Sequence, residues 1–384
     1  MHLARPVVLN SVTQPIPASS FGPRRLSFVL GAALCGIALT APALSGVTGY
    51  YRFPTIHGDR VVFAAEGDLW QVAIGGGMAS RITTHPGNEA FAKFSPDGKW
   101  LAFSAEYEGN VDAYVMPADG GEPLRLTFHP LPDEIIAWRA DSSAIVFRSR
   151  RESPNRDLNI FEVPRTGGQP RKFAFGACAL ADFAPDGKRI AFVRFSWETR
   201  TWKRYTGGTA QDVWIGDLET NKFSRMTTWD GTDAFPMWVG DRVYYASDRS
   251  STMNIFSARP DGSDIKQITE HADYDVRWPD SDGKSIIYMQ AGDLWLVDSA
   301  GGKPRKLDIQ LPTDRIRQRE RVENAAATIE HFDLDKDGKR LIVGSRGELW
   351  TTPTKPGRIV QVTDSSGARE RLGAISPDGK HIAC

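Results

Sequence analysis

Three cysteines in 384 residues leave no material for a disulfide framework, and none shows the spacing of a zinc site. Cys35 lies in the apolar N-terminal run, Cys384 is the last residue, and Cys178 sits in an apolar stretch and reads as a small buried side chain. An excess of charge is also missing. The 47 basic residues meet 47 acidic ones, a balance that argues against the basic face a nucleic-acid partner needs. No G-x-S-x-G, H-E-x-x-H, P-loop or C-x-x-C occurs, so no catalytic residue, metal or cofactor is expected in this chain. Residues 1–58 hold no Asp or Glu, and the apolar run 26–39 is too short to span a bilayer. With Arg24-Arg25 before it and Ala41-Pro42-Ala43 after it, that run reads as a secretory signal, and export to the periplasm is the expectation.

What the chain has in abundance is one turn, followed each time by a short apolar run. It reads Ser95-Pro96-Asp97-Gly98-Lys99, Ala184-Pro185-Asp186-Gly187-Lys188, Ser281-Asp282-Gly283-Lys284, Lys336-Asp337-Gly338-Lys339 and Ser376-Pro377-Asp378-Gly379-Lys380. Degenerate copies begin at Gly58, Arg139 and Gly240. The runs end on Phe63, Phe103, Phe147, Phe192, Tyr245, Tyr288, Val343 and Cys384, a period of about 40–55 residues, which suits a four-stranded propeller blade. Pro presets the turn, and Asp and Gly tolerate its conformation. A third strand carries an aromatic, as in Asp68-Leu69-Trp70 or Asp293-Leu294-Trp295, and a Gly-rich turn leads to an outer strand.

Six copies precede a break at 308–327, where Arg315, Arg317, Arg319 and Arg321 have Asp314, Glu320 and Glu323 among them and read as a solvated connector. The repeat then restarts, and its last copy stops inside a second strand. The expected class is all-β: a six-bladed β-propeller followed by the truncated start of a second β-propeller. The expected plan is a signal-like segment at 1–45, the six-bladed ring at 50–310, a connector at 311–327, and the first blade and start of a second blade at 328–384.

Two places invite a binding role. Arg150 and Arg151 follow the second strand of the third unit, where adjacent arginines can hold a carboxylate; a solvated loop is the other reading. The fourth unit has the longest excursion, 195–212, with Trp197, Trp202 and Tyr205 among basic residues, suited to a partner or to covering a blade edge. His85, His129 and His271 recur after the outer strands and read as loop residues rather than metal ligands. Asp333-Leu334-Asp335-Lys336-Asp337-Gly338 imitates the opening of a calcium loop, but Gly344 at its twelfth place supplies no carboxylate.

The Ser-Pro-Asp-Gly-Lys turns and Gly-Asp-Leu-Trp strands resemble the repeats of TolB, prolyl oligopeptidases and tricorn protease. The layout of Tyr50-Tyr51-Arg52-Phe53-Pro54, six units, Thr313-Asp314-Arg315 and a restart near Phe332 is similar to the N-terminal part of the tricorn protease family across about 50–384. That resemblance implies an oligomeric serine protease that trims oligopeptides, its PDZ-like and catalytic domains absent from this chain, with propellers that gate access to a catalytic chamber. It implies that Arg150 and Arg151 anchor the substrate's C-terminal carboxylate. It also brings in a cytoplasmic compartment as the alternative to export. A TolB-like exported scaffold for protein partners is the rival reading.

Overall fold

The computed structural model describes residues 50–155, 157–315, 324–365 and 368–384. The signal-like segment and the central part of the connector lie outside the described residues. The regular structure of the described residues is almost wholly strand, arranged as successive four-stranded antiparallel meanders. Six of them fill 52–306. Their innermost strands are Arg52–His57, Glu89–Phe94, Asp133–Trp138, Leu180–Phe183, Asp233–Val239 and Arg277–Ser281. A seventh meander occupies Ile329–Leu334, Arg340–Ser345, Glu348–Pro353 and Val360–Gln361, where the repeat restarts, and a short pair, Ala374–Ile375 with Ile382–Ala383, follows.

The repeated turn joins the first and second strands of a sheet by a fixed set of bonds. Ser95 Oγ donates to Asp97 Oδ1 (2.5 Å) and accepts from Trp100 N (3.0 Å), while Gly98 N donates to Ser95 O (2.8 Å). Gly98 has φ +69, and a Cβ there would collide with the His57 ring, so this position takes only glycine without strain. The third sheet departs from the rule: Ser142 occupies the equivalent place at φ +60. The Asp333–Gly338 segment is the same turn, with Asp335 Oδ1 accepting from Lys339 N (2.7 Å) and Arg340 N (3.1 Å).

The second strands supply the cores. Phe63, Phe103, Phe147, Tyr245 and Tyr288 are completely buried, and each is worth about 1.5–3 kcal/mol on area alone. They pack between sheets, not within one. Separate apolar clusters join sheets one and two, two and three, three and four, four and five, five and six, and six and one. Alternate side chains on each strand face opposite neighbours, so each of these six sheets is covered on both faces. The sixth-to-first junction has its own bonds. Tyr51 N reaches Gly292 O (2.9 Å), Tyr51 Oη reaches Ile309 O (3.1 Å), and Ile309–Gln310 pairs in parallel with Gly77–Met78. Chain that has left the last sheet thus returns to the first.

A hydroxyl latch repeats at the ends of the outer strands. Thr83, Thr127, Thr227 and Thr269 accept the backbone N–H of Leu69, Ala113, Val213 and Ile255 at 2.8–3.0 Å. Thr83 passes its own proton to Glu89, the first residue of the next inner strand, at 3.0 Å.

Candidate functional site

The inner strands converge, and their sequences decide what lies between them. Five of the six carry a register shift against the second strand. In four of those the bulged residue is an aromatic held at positive φ: Phe53 (51°), Phe91 (53°), Phe235 (53°) and Trp278 (48°). A bulge breaks alternation and re-aims a side chain. Here all four rings turn inward and touch. Phe53 lies 4.3 Å from Phe91 and 5.0 Å from Trp278 between centroids; Trp278 lies 5.2 Å from Phe91 and 5.1 Å from Phe235. Leu180 of the fourth sheet and Trp278 both pack against the cluster that contains Phe235, and Arg148 of the third sheet sits 5.9 Å from the Phe91 centroid. The contacts link sheets that are not neighbours along the chain, so the rings form a plug where the inner strands meet. At these separations no extended peptide passes between them.

Where the inner strands run into their turns, a cavity of about 390 Å³ opens above the plug. One residue from each inner strand forms a layer in common register: Thr55, Lys93, Ala137, Asp182, Met237 and Asp280 pair with Val62, Ala102, Val146, Ala191, Tyr244 and Ile287. Lys93 Nζ is 2.5 Å from Asp280 Oδ1, and Asp280 Oδ2 accepts from Ile56 N at 3.2 Å. Asp182 accepts from Trp238 N (2.7 Å) and Phe183 N (2.9 Å) but has no ion pair among the described residues. Burial pushes its carboxyl up from 3.8 to about 6, against the backbone hydrogen bond from Trp238 and the charge of Lys93. His57 and Asp282 complete the ionisable lining, which sets one lysine against three aspartates.

Where the inner strands begin, several charges are paired internally. Arg148 is 2.7 Å from Glu134 and 3.4 Å from Glu198, and donates to Ala179 O at 3.1 Å. Excursion 195–212 folds back over this end. Arg200 donates to Thr232 Oγ1 (2.8 Å), Lys203 pairs with Asp275 (2.9 Å), and Trp197 donates to Thr209 O (2.9 Å). Trp197 stacks edge-on against Trp202 at 5.4 Å, and Tyr205 accepts from Thr209 Oγ1 at 3.1 Å. Trp202 and Tyr205 remain 46% and 37% exposed, so this aromatic loop both covers the sheet ends and presents two rings to solvent.

The two arginines of the third sheet are not brought together as a clamp. Arg150 is exposed. Arg151 turns back into the sheet, ion-paired to the wholly buried Asp133 and lying 5.1 Å and 5.5 Å from the centroids of Phe147 and Phe161. The strand ends at Ser149, and the turn that begins at Arg151 sends the two neighbouring side chains apart. The fifth sheet repeats the arrangement with Arg249, Asp233 (3.0 Å), Tyr245 and Phe256, which marks the Arg151 pair as a feature of the repeat. Burial raises both Asp133 and Asp233, opposed by Ser149 and Arg151 in one and by Arg249 in the other.

The histidines are turn residues: His85 Nδ1 accepts from Gly87 N (2.9 Å), His129 Nδ1 from Leu131 N (3.0 Å), and His271 Nε2 meets Tyr288 Oη (2.8 Å). Among the described residues no group of His, Cys, Asp and Glu is placed to hold a metal.

Inner strands around a common centre, cores between successive sheets and a returning end define a β-propeller. The profile of the tricorn protease N-terminal beta propeller domain matches residues 48–303, and the chain belongs to that family. It is 30% identical over 339 residues to tricorn protease homolog 1 of Streptomyces coelicolor, covering 88% of this chain and 31% of that protein. It is 28% identical over 336 residues to the tricorn protease homolog of Saccharolobus solfataricus, covering 87% and 31%. The crystal structure of the tricorn protease superposes with a TM-score of 0.67 at 24% identity, over 85% of this chain and 32% of that one, which establishes the fold. The chain therefore spans less than a third of the length of these relatives.

Proposed function

We propose that this ring is the N-terminal peptide-handling part of a tricorn-type serine protease, and that the chain on its own is catalytically silent. The observation that carries the reading is the propeller match over 48–303 together with relatives named as tricorn proteases. The 69% of the first relative that has no counterpart here is where hydrolytic machinery would lie. Peptide does not thread the ring; it meets one face, and any gating acts beside the blades. Bare apolar surface on the seventh sheet, with Phe332 71% and Ile359 64% exposed, supports further blades and domains packing there. We also propose export, supported by the acid-free N-terminal sequence.

The carboxylate-anchor idea is tested at Arg150, the exposed member of the pair. In the full-length protein, Arg150→Ala raises KM for short peptides with a free C-terminal carboxylate by about tenfold and leaves their amidated counterparts unchanged. Equal losses for both would remove the anchor. Turnover of fluorogenic tripeptides by the 384-residue chain alone would overturn the assignment of catalysis to absent domains.

A further inference from the structure

The cavity over the aromatic plug has a chemistry that the peptidase reading does not assign. Its walls are Ile135, Ile136, Trp138, Leu180, Phe183 and Trp238, and its floor is Phe53, Phe91, Phe235 and Trp278. Such a lining favours a compact apolar body. The charges are not balanced. Lys93 is committed to Asp280, which leaves Asp182 in the same register layer and Asp282 at the mouth without a cation of their own inside the cavity. Arginines stand near the rim, but each has a carboxylate: Arg60 with Asp119 (2.8 Å), Arg139 with Glu162 (3.8 Å), Arg189 with Asp186 (2.8 Å). Asp182 spends one bond per oxygen on backbone N–H groups, and a carboxylate oxygen can accept a second. Aromatic faces add attraction for a cation held above them.

We infer that this blind cup is a binding site for a primary ammonium group carried on an apolar or aromatic body, with Asp182 as the anionic partner and the aromatic plug as its floor. In a peptide-handling protein the ammonium comes from a peptide N-terminus or a lysine side chain, and for that source the inference rests on the proposed function. The cup itself does not depend on it. The raised pKa of Asp182, about 6, follows from burial, and an ammonium beside it would favour the ionised form. His57, Lys93, Asp280 and Asp282 are the other titratable groups that line the cavity.

The test is calorimetric titration of the whole chain at pH 8 with 2-phenylethylamine, against 2-phenylethanol as the neutral isostere. Saturable binding of the amine, at least about tenfold tighter than the alcohol, is expected. Asp182→Asn should abolish that preference, Asp282→Asn should reduce it, and lowering the pH to 5 should weaken amine binding alone. The mouth variant keeps the test open if Asp182→Asn fails to fold. Equal binding of amine and alcohol, or no amine binding, overturns the inference. Two further probes separate the sources: Phe-Ala-Ala amide with a free N-terminus, and its N-acetylated form with lysine at the third place. Amine binding without either peptide would uphold the cup and count against peptide handling by this face; binding by one peptide identifies the source.

Discussion

The two ends of the inner strands are built from the same repeat and have opposite electrostatics. Where the strands begin, Arg148 meets Glu134 and Glu198, Arg151 meets Asp133, Arg249 meets Asp233, and 195–212 folds across them. Where they end, three aspartates face one lysine around open volume. Four aromatic rings separate the two. A repeat that satisfies its charges internally fixes geometry; one that leaves a surplus beside a cavity has something to offer a ligand. Buried ion pairs add little net stability over an apolar replacement, but breaking one is costly, so the paired end tolerates change least.

That contrast can be broken most forcefully at Asp133. Asp133→Ala strands the Arg151 guanidinium inside the third sheet and should cost about 3–5 kcal/mol in urea unfolding; the matching Asp233→Ala in the fifth sheet should behave alike. A loss below about 1 kcal/mol would mean the paired end is not closed in the way described.

The open end responds to pH with a definite sign. Asp182 has its native acidity raised from 3.8 to about 6 by burial, so between those values the native state binds more protons than the unfolded chain. The stability this group contributes is complete below about pH 3.8 and disappears as pH rises through 6. Wild-type stability measured against Asp182→Asn should therefore fall by up to about 2 kcal/mol between pH 4 and pH 7, less in proportion to the water that reaches a half-buried carboxyl. A difference that grows with pH would place Asp182 in an ion pair instead.

The smallest effect is expected where the covering loop is pinned by an exposed lysine. Lys203→Ala removes its contact with Asp275 and should change stability by less than about 1 kcal/mol. A larger loss would show that the loop, and not the ion pairs beneath it, holds that end together.

The plug was the least legible part of the chain. In the inner strands Phe53, Phe91, Phe235 and Trp278 look like ordinary core residues of an alternating strand. A bulge and a left-handed backbone angle turn them to the centre, and neither follows from propensity, since aromatic residues rarely adopt positive φ. One trace was available: Phe53-Pro54, Phe235-Pro236 and Trp278-Pro279 put proline after the aromatic, where a residue must leave the hydrogen-bonding ladder. Arg150 and Arg151 take different surroundings for a related reason: they lie just past the strand that ends at Ser149, and adjacency in sequence does not say where the turn sends each side chain.

The sequence by itself determined the repeat: its turns, the strand order within each unit, and the buried markers from Phe63 to Tyr288. Those depend on local rules, turn chemistry and two-residue alternation, that hold wherever the segment lies. Tertiary structure alone decided which side chains meet where the inner strands converge, which charges cancel and which are left over. Those outcomes rest on contacts between residues far apart in the chain, such as Phe53 with Trp278 and Lys93 with Asp280, 187 positions on, and no local pattern encodes such pairings.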